Sequence, residues 1–148
     1  MKKKKCLIPE EMYNKDFQPF TGFFEYHAKN RTVPVSLSEI QEFGVKLEVV
    51  NREVLNKLDT IPINTIKFSS SKKKRNVNNL MWYFRCLPCH PENINISNNQ
   101  KCYQLQCCRN DNKTGEKVIC MKGLVACDVW SSFIKDVTDK IVEYEKNI

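Results

Sequence analysis

Residues 44–68 read GVKLEVVNREVLNKLDTIPINTIKF, and the spacing of apolar side chains in this stretch decides the fold class. Val45, Leu47 and Val49 alternate with Lys46 and Glu48, the period-two pattern of a strand with one buried and one wet face. A turn at Asn51 and Arg52 follows, then expected strands over 53–58 and 61–68. Within the last of these, Ile61 and Ile63 hold odd positions but Ile66 and Phe68 even ones. The inward phase therefore slips by one residue near Asn64, as a bulge beside Pro62 produces. Consecutive short strands with identifiable turns point to a sheet-based binding module, and no enzyme signature accompanies them.

Upstream, residues 1–18 are basic and then acidic with little periodicity, which reads as a loosely held arm ahead of a single domain over 19–148. Residues 21–29 are expected to form a first strand. Residues 36–43 form a short helix that Ser36 caps, Glu39 completes as a capping box and Gly44 ends. Downstream, Ser69 to Ser71 and Asn76 to Asn79 flank a basic run with residues that favour turns, so a mobile, exposed hairpin loop is expected there. Residues 80–87 read as an aromatic strand with Trp82, Phe84 and Cys86 on one face. After a polar connection, 102–108 alternates Tyr103, Leu105 and Cys107 against Gln104 and Gln106, and 117–121 gives another strand. The clearest helix comes last. Asp128 can cap it, and Trp130, Phe133, Ile134, Val137, Ile141, Tyr144 and Ile148 recur at helical spacing, with Val142 on the flank of that stripe.

A chain of 148 residues suits one ordinary domain. The formal charge of +7 comes from two runs, Lys2 to Lys5 and Lys72 to Arg75, which supply eight positive charges between them, so the body sums to −1. Solvated lysine runs attract phosphates without reading bases, which makes nucleic acid a weaker expectation than protein. The basic start is not followed by the apolar run of a leader, and no window is long enough to cross a bilayer, so a cytoplasmic location is expected, with a nuclear one suggested by the basic run at 72–75. The eight cysteines then read as thiols.

The order of the Gly44 strand, the 61–68 strand, the segments over 82–87 and 102–107 and the closing helix from Val129 resembles phosphotyrosine-binding domains of the pleckstrin-homology-like group. The resemblance runs from about Gly44 to Glu145. It implies an α+β fold in which a bent antiparallel sheet, or a partly open barrel, is closed by the C-terminal amphipathic helix. It also implies a non-enzymatic module that docks a linear peptide or protein partner by strand addition beside that helix. Carried onto this chain, the edge offered would be Asn64, Thr65, Ile66, Lys67 and Phe68, with Phe133, Val137, Thr138, Ile141 and Val142 beside it.

Two other chemistries are written in the residues. Lys72, Lys73, Lys74, Arg75 and Arg85 are candidates to meet a phosphate, because guanidinium grips two phosphate oxygens and a lysine cluster adds field; a phosphoinositide-binding membrane adaptor is the corresponding alternative. Cys86-x-x-Cys89 followed by His90, with Cys102 and Cys107 downstream, offers soft ligands for zinc in a zinc-stabilised nucleic-acid binder. Otherwise no cofactor is expected. Only two histidines exist, His27 and His90, and neither sits with the companions of a nucleophilic triad, so catalysis is not expected.

Overall fold

A computed structural model describes residues 8–30, 35–70, 76–97, 99 and 101–146. The chain is α+β. Its helices are α1 (Glu10–Asp16), α2 (Thr21–Asn30), α3 (Leu37–Ile40), α4 (Arg52–Lys57), α5 (Asn76–Cys86) and α6 (Cys127–Lys146), and its strands β1 (Lys46–Val49), β2 (Thr65–Phe68), β3 (Ile94–Ile96), β4 (Cys102–Asn110) and β5 (Lys117–Ala126). They form one five-stranded sheet in the order β1-β2-β5-β4-β3, with β1 parallel to β2 and every other pair antiparallel. The sheet is mixed and not closed into a barrel, which corrects the expected antiparallel architecture, while the closing helix stands as read.

Three segments expected as strands are helices. Residues 80–86 belong to α5 and Leu87 to the 3-10 turn after it; in α5, Val77, Leu80, Met81 and Phe84 recur three and four apart and are all buried. Residues 21–29 lie in α2, which buries Phe24, His27 and Ala28 by the same spacing. Residues 53–58 overlap α4, started by Asn51, whose side chain accepts the Glu53 amide at 2.8 Å. The expected arm over 1–18 is also corrected in part. Residues 10–16 are helical, and Ile8, Asp16 and Phe17 are buried. By contrast, the capping box forms as the sequence dictates: Ser36 and Glu39 bond reciprocally, and Gly44 stops the turn at φ 95°.

Strand alternation gives the sheet two faces of different chemistry. The registers place Leu47, Ile66, Gly123, Leu105 and Ile94 in one cross-strand row. That row and its neighbours share one core with α1, α2, α5 and α6. At the centre of the helical layer, Phe84 lies 5.3 Å from Phe24, 5.5 Å from Trp130 and 6.2 Å from Phe133 between ring centroids, so a single aromatic side chain ties α2, α5 and α6 together. Gly123 is required in the sheet. A Cβ there would stand 2.9 Å from Ile66 Cγ1.

On the second face lie Glu48, Lys67, Lys122 and Gln106, and beside them Leu124, Gln104 and Asn95. Among the described residues, no long helix covers it. The short α4 and the segment over 58–61 cross part of it, held by Lys122 Nζ donating to the Leu58 carbonyl at 2.6 Å. Asn56 exchanges two bonds with the Ile119 backbone, at 2.9 and 3.1 Å. Among the described residues, no helix is long and apolar enough to cross a membrane.

Candidate functional site

The sheet topology decides the fate of the expected peptide edge. β2 is bonded to β1 on one side and to β5 on the other, so its backbone groups are consumed and no strand can be added beside it. The phase slip has a different cause from a bulge: Asn64 is left-handed at φ 57° and ends a turn just before β2 begins. Its side-chain oxygen accepts the Ala126 amide at 2.9 Å. Thr65, Ile66 and Phe68 are buried, and Lys67 projects onto the open face and pairs with Glu48 at 3.1 Å. On α6, Phe133, Val137, Thr138 and Ile141 are buried core residues, and Val142 is 38% exposed. The expected groove between β2 and α6 is therefore filled by the protein itself.

The other expected sites also come apart. Arg85 stacks over Trp82 with its guanidinium carbon 4.8 Å from the ring centroid and reaches Glu25 at 3.8 Å, so its charge is engaged. Lys72, Lys73, Lys74 and Arg75, with the loop expected there, lie outside the described residues. Of the zinc candidates, Cys102 and Cys107 are five residues apart on β4, which puts them about 17 Å from one another and on opposite faces. Cys89 and His90 are exposed; Cys107 is buried, with its thiol donating to the Tyr83 carbonyl at 3.2 Å. Burial pushes the Cys107 thiol well above its ordinary value and raises Cys86 as well. Among the described residues, no group of three or more His, Cys, Asp or Glu side chains is placed to hold a metal ion.

What the fold does create is a groove on the open sheet face. It has a volume of about 600 Å³ and runs between the 59–61 segment and β3. Its floor is a row of amide side chains, Asn95, Gln104 and Gln106, with Lys122 and Leu124 from β5 and Ile61 on the opposite wall. Asn95 and Gln104 are directly opposite one another across β3 and β4, and Gln104 faces Leu124 across β4 and β5. Lys122 is held in place by the Leu58 carbonyl, so the wall over 58–61 is fixed to the floor. Two charges that would otherwise repel are separated by their partners: Lys67 is directly opposite Lys122, but Glu48 binds Lys67 and also Lys46, at 2.9 Å. Those two hydrogen bonds, Lys46 first and Lys67 second, hold the Glu48 carboxyl below its ordinary range.

Sequence reasoning identified Gln104 and Gln106 as the wet side of a strand but not as a floor, because Asn95 and Lys122 join them only through strand pairing. His27 contributes no chemistry here. It is buried in α2, and its Nε2 lies 3.0 Å from a Glu145 carboxylate oxygen. Comparison with family models, with curated proteins and with solved structures finds no match to this chain.

Proposed function

We propose that the domain is a non-enzymatic interaction module that docks an extended segment of a partner protein across the open face of its sheet. The observation that carries this reading is the amide row of Asn95, Gln104 and Gln106 along the floor of the groove. Each of these side chains presents both a donor and an acceptor, the same pair that a peptide backbone offers, so an extended segment can exchange hydrogen bonds with the floor whatever its sequence. Leu124 and Ile61 give an apolar contact between those polar groups, and apolar burial at such a point supplies affinity that hydrogen bonds alone do not. The mode differs from the strand addition that the resemblance to phosphotyrosine-binding domains implies. The place differs, since β2 is interior.

Selection from a displayed random-peptide library tests the reading. Peptides enriched on the intact chain should lose binding to a Gln104→Ala, Gln106→Ala double variant and to Leu124→Lys, and should keep it to Val142→Lys on the helix. Selected peptides that bind all four proteins equally would refute the groove.

A further inference from the structure

Three concavities meet at Arg109. One, of about 320 Å³, is walled by Arg52, Ser69, Asn79, Tyr83 and Arg109; a second, of about 350 Å³, adds Asp111 and Lys113; a third, of about 260 Å³, runs towards Trp82. The first lies where the parallel strands β1 and β2 end, between Asn51–Arg52 and Ser69. The carboxyl ends of adjacent parallel strands are a place where α/β sheets commonly hold ligands. No carboxylate lines it. Among the described residues, neither Arg52 nor Arg109 is in a salt bridge.

Both guanidinium groups act on the same neighbours. Asp111 is held below its ordinary range first by the Lys113 and Thr114 amides and then by the fields of Arg52 and Arg109. Cys120 also feels both arginines, although burial dominates and raises its thiol. Two cations therefore converge on one pocket, and the carboxylate whose field both of them reach, Asp111, turns Oδ1 to two backbone amides and lines the neighbouring concavity, not this one. The pocket wall is rigid, since the Tyr83 hydroxyl donates to the Ser69 carbonyl at 2.8 Å. The Ser69 hydroxyl donates to the Cys120 carbonyl at 3.5 Å, a long bond that it can exchange for one to a ligand oxygen.

We propose that this pocket binds the phosphate group of a phosphomonoester, gripped by Arg52 and Arg109. A phosphomonoester carries close to two negative charges and three acceptor oxygens, which matches two guanidinium forks and a hydroxyl donor. A single carboxylate ligand would leave one arginine unanswered. The site shares no residue with the amide-floored groove and stands or falls independently of it.

Thermal melting and calorimetric titration of the full chain with inorganic phosphate test the proposal, against sodium chloride at matched ionic strength. Phosphate should raise the melting temperature of the wild type, and Arg52→Gln and Arg109→Gln should each weaken binding by about tenfold without altering the ligand-free melt. Protection by chloride equal to that by phosphate overturns the site, as does binding that both variants retain. So does loss of binding on replacing Lys72, Lys73, Lys74 and Arg75 by glutamine while the Arg52, Arg109 double variant keeps it. Soluble inositol trisphosphate and phosphatidylcholine vesicles carrying phosphatidylinositol bisphosphate then distinguish a free ligand from a lipid headgroup, and arginine-dependent binding of either supports the site. A single-stranded oligonucleotide bound tighter than phosphate, with affinity that survives the double substitution, also overturns it.

Discussion

Tyr103 of β4 donates its hydroxyl to the buried carboxylate of Asp16 in α1 at 2.5 Å, a contact between residues 87 apart in sequence. The same carboxylate accepts the Ser131 hydroxyl at 2.5 Å, and the Trp130 indole N–H donates to the Asp16 carbonyl at 3.0 Å. One residue of the first helix thus joins the sheet to α6. Tyr103→Phe should destabilise the protein by about 1.5–3 kcal/mol, the cost of losing a hydrogen bond to a charged group, measured by urea unfolding. Asp16→Ala should cost more, because it removes the shared acceptor of both hydroxyls together with the buried side chain itself. A change under about 0.5 kcal/mol for Tyr103→Phe would show that water replaces the bond.

His27 gives the fold a pH dependence of known sign. Burial lowers its pKa from the ordinary 6.5, and Glu145 restores part of the shift, so the contact between them is a hydrogen bond from a neutral imidazole. In the unfolded chain the residue titrates near 6.5. The unfolded state therefore binds more protons in this window. Stability from this group is complete above pH 6.5 and falls as the pH drops through 6.5 towards the folded value. Urea midpoints measured from about pH 8 down to about pH 5 should decline, and His27→Phe, which keeps a ring against Phe23 at 4.3 Å, should flatten that decline. An unchanged slope in the variant would assign the decline to other groups.

The close approach at Gly123 can be measured by a mutant cycle. Gly123→Ala should cost about 1–3 kcal/mol, because the added methyl meets Ile66 Cγ1 at 2.9 Å inside a paired sheet. Ile66→Ala removes that atom, so the double variant should lose less than the two single costs added together. Strict additivity would mean that the glycine is needed for its backbone instead.

Thiol labelling should follow the burial pattern. Cys89 and Cys108 are exposed and Cys107 and Cys120 buried, with burial raising both buried thiols. A pulse of maleimide followed by mass spectrometry should mark Cys89 and Cys108 first, and Cys107 and Cys120 only as urea opens the sheet. The seven described cysteines are thiols, so a strong reductant should leave the melting temperature unchanged. Early labelling of Cys107 would place an opening between α5 and β4.

What the sequence made legible was local. Ser36, Glu39 and Gly44 act within one turn of each other, and the stripe from Trp130 to Ile141 lies on one helix, so both could be read without knowing any distant partner. The α5 segment misled because Trp82, Phe84 and Cys86 alternate while Val77, Leu80, Met81 and Phe84 also recur helically, and the second pattern is the one that is buried. The interior place of β2 could not be read at all. It depends on β5 arriving from residues 117–126, and nothing within 61–68 records that pairing. The arginine pair likewise joins distant parts of the chain, Arg52 from α4 and Arg109 from β4, and the amide floor needs the pairing of β3 with β4.

The strand at the middle of the sheet, β5, is the last of the described strands. β5 joins β2 to β4, and until residue 126 is available the sheet is two unconnected pieces, β1 with β2 and β3 with β4. During synthesis the domain must therefore wait for nearly its whole length, with Ile66, Phe68, Leu105 and Cys107 on strands whose inner edges are still open. Such edges pair readily with other chains. A nascent chain arrested before Lys117 should associate with chaperones or aggregate, and a chain extended through β5 and α6 to Lys146 should end that exposure in a single step.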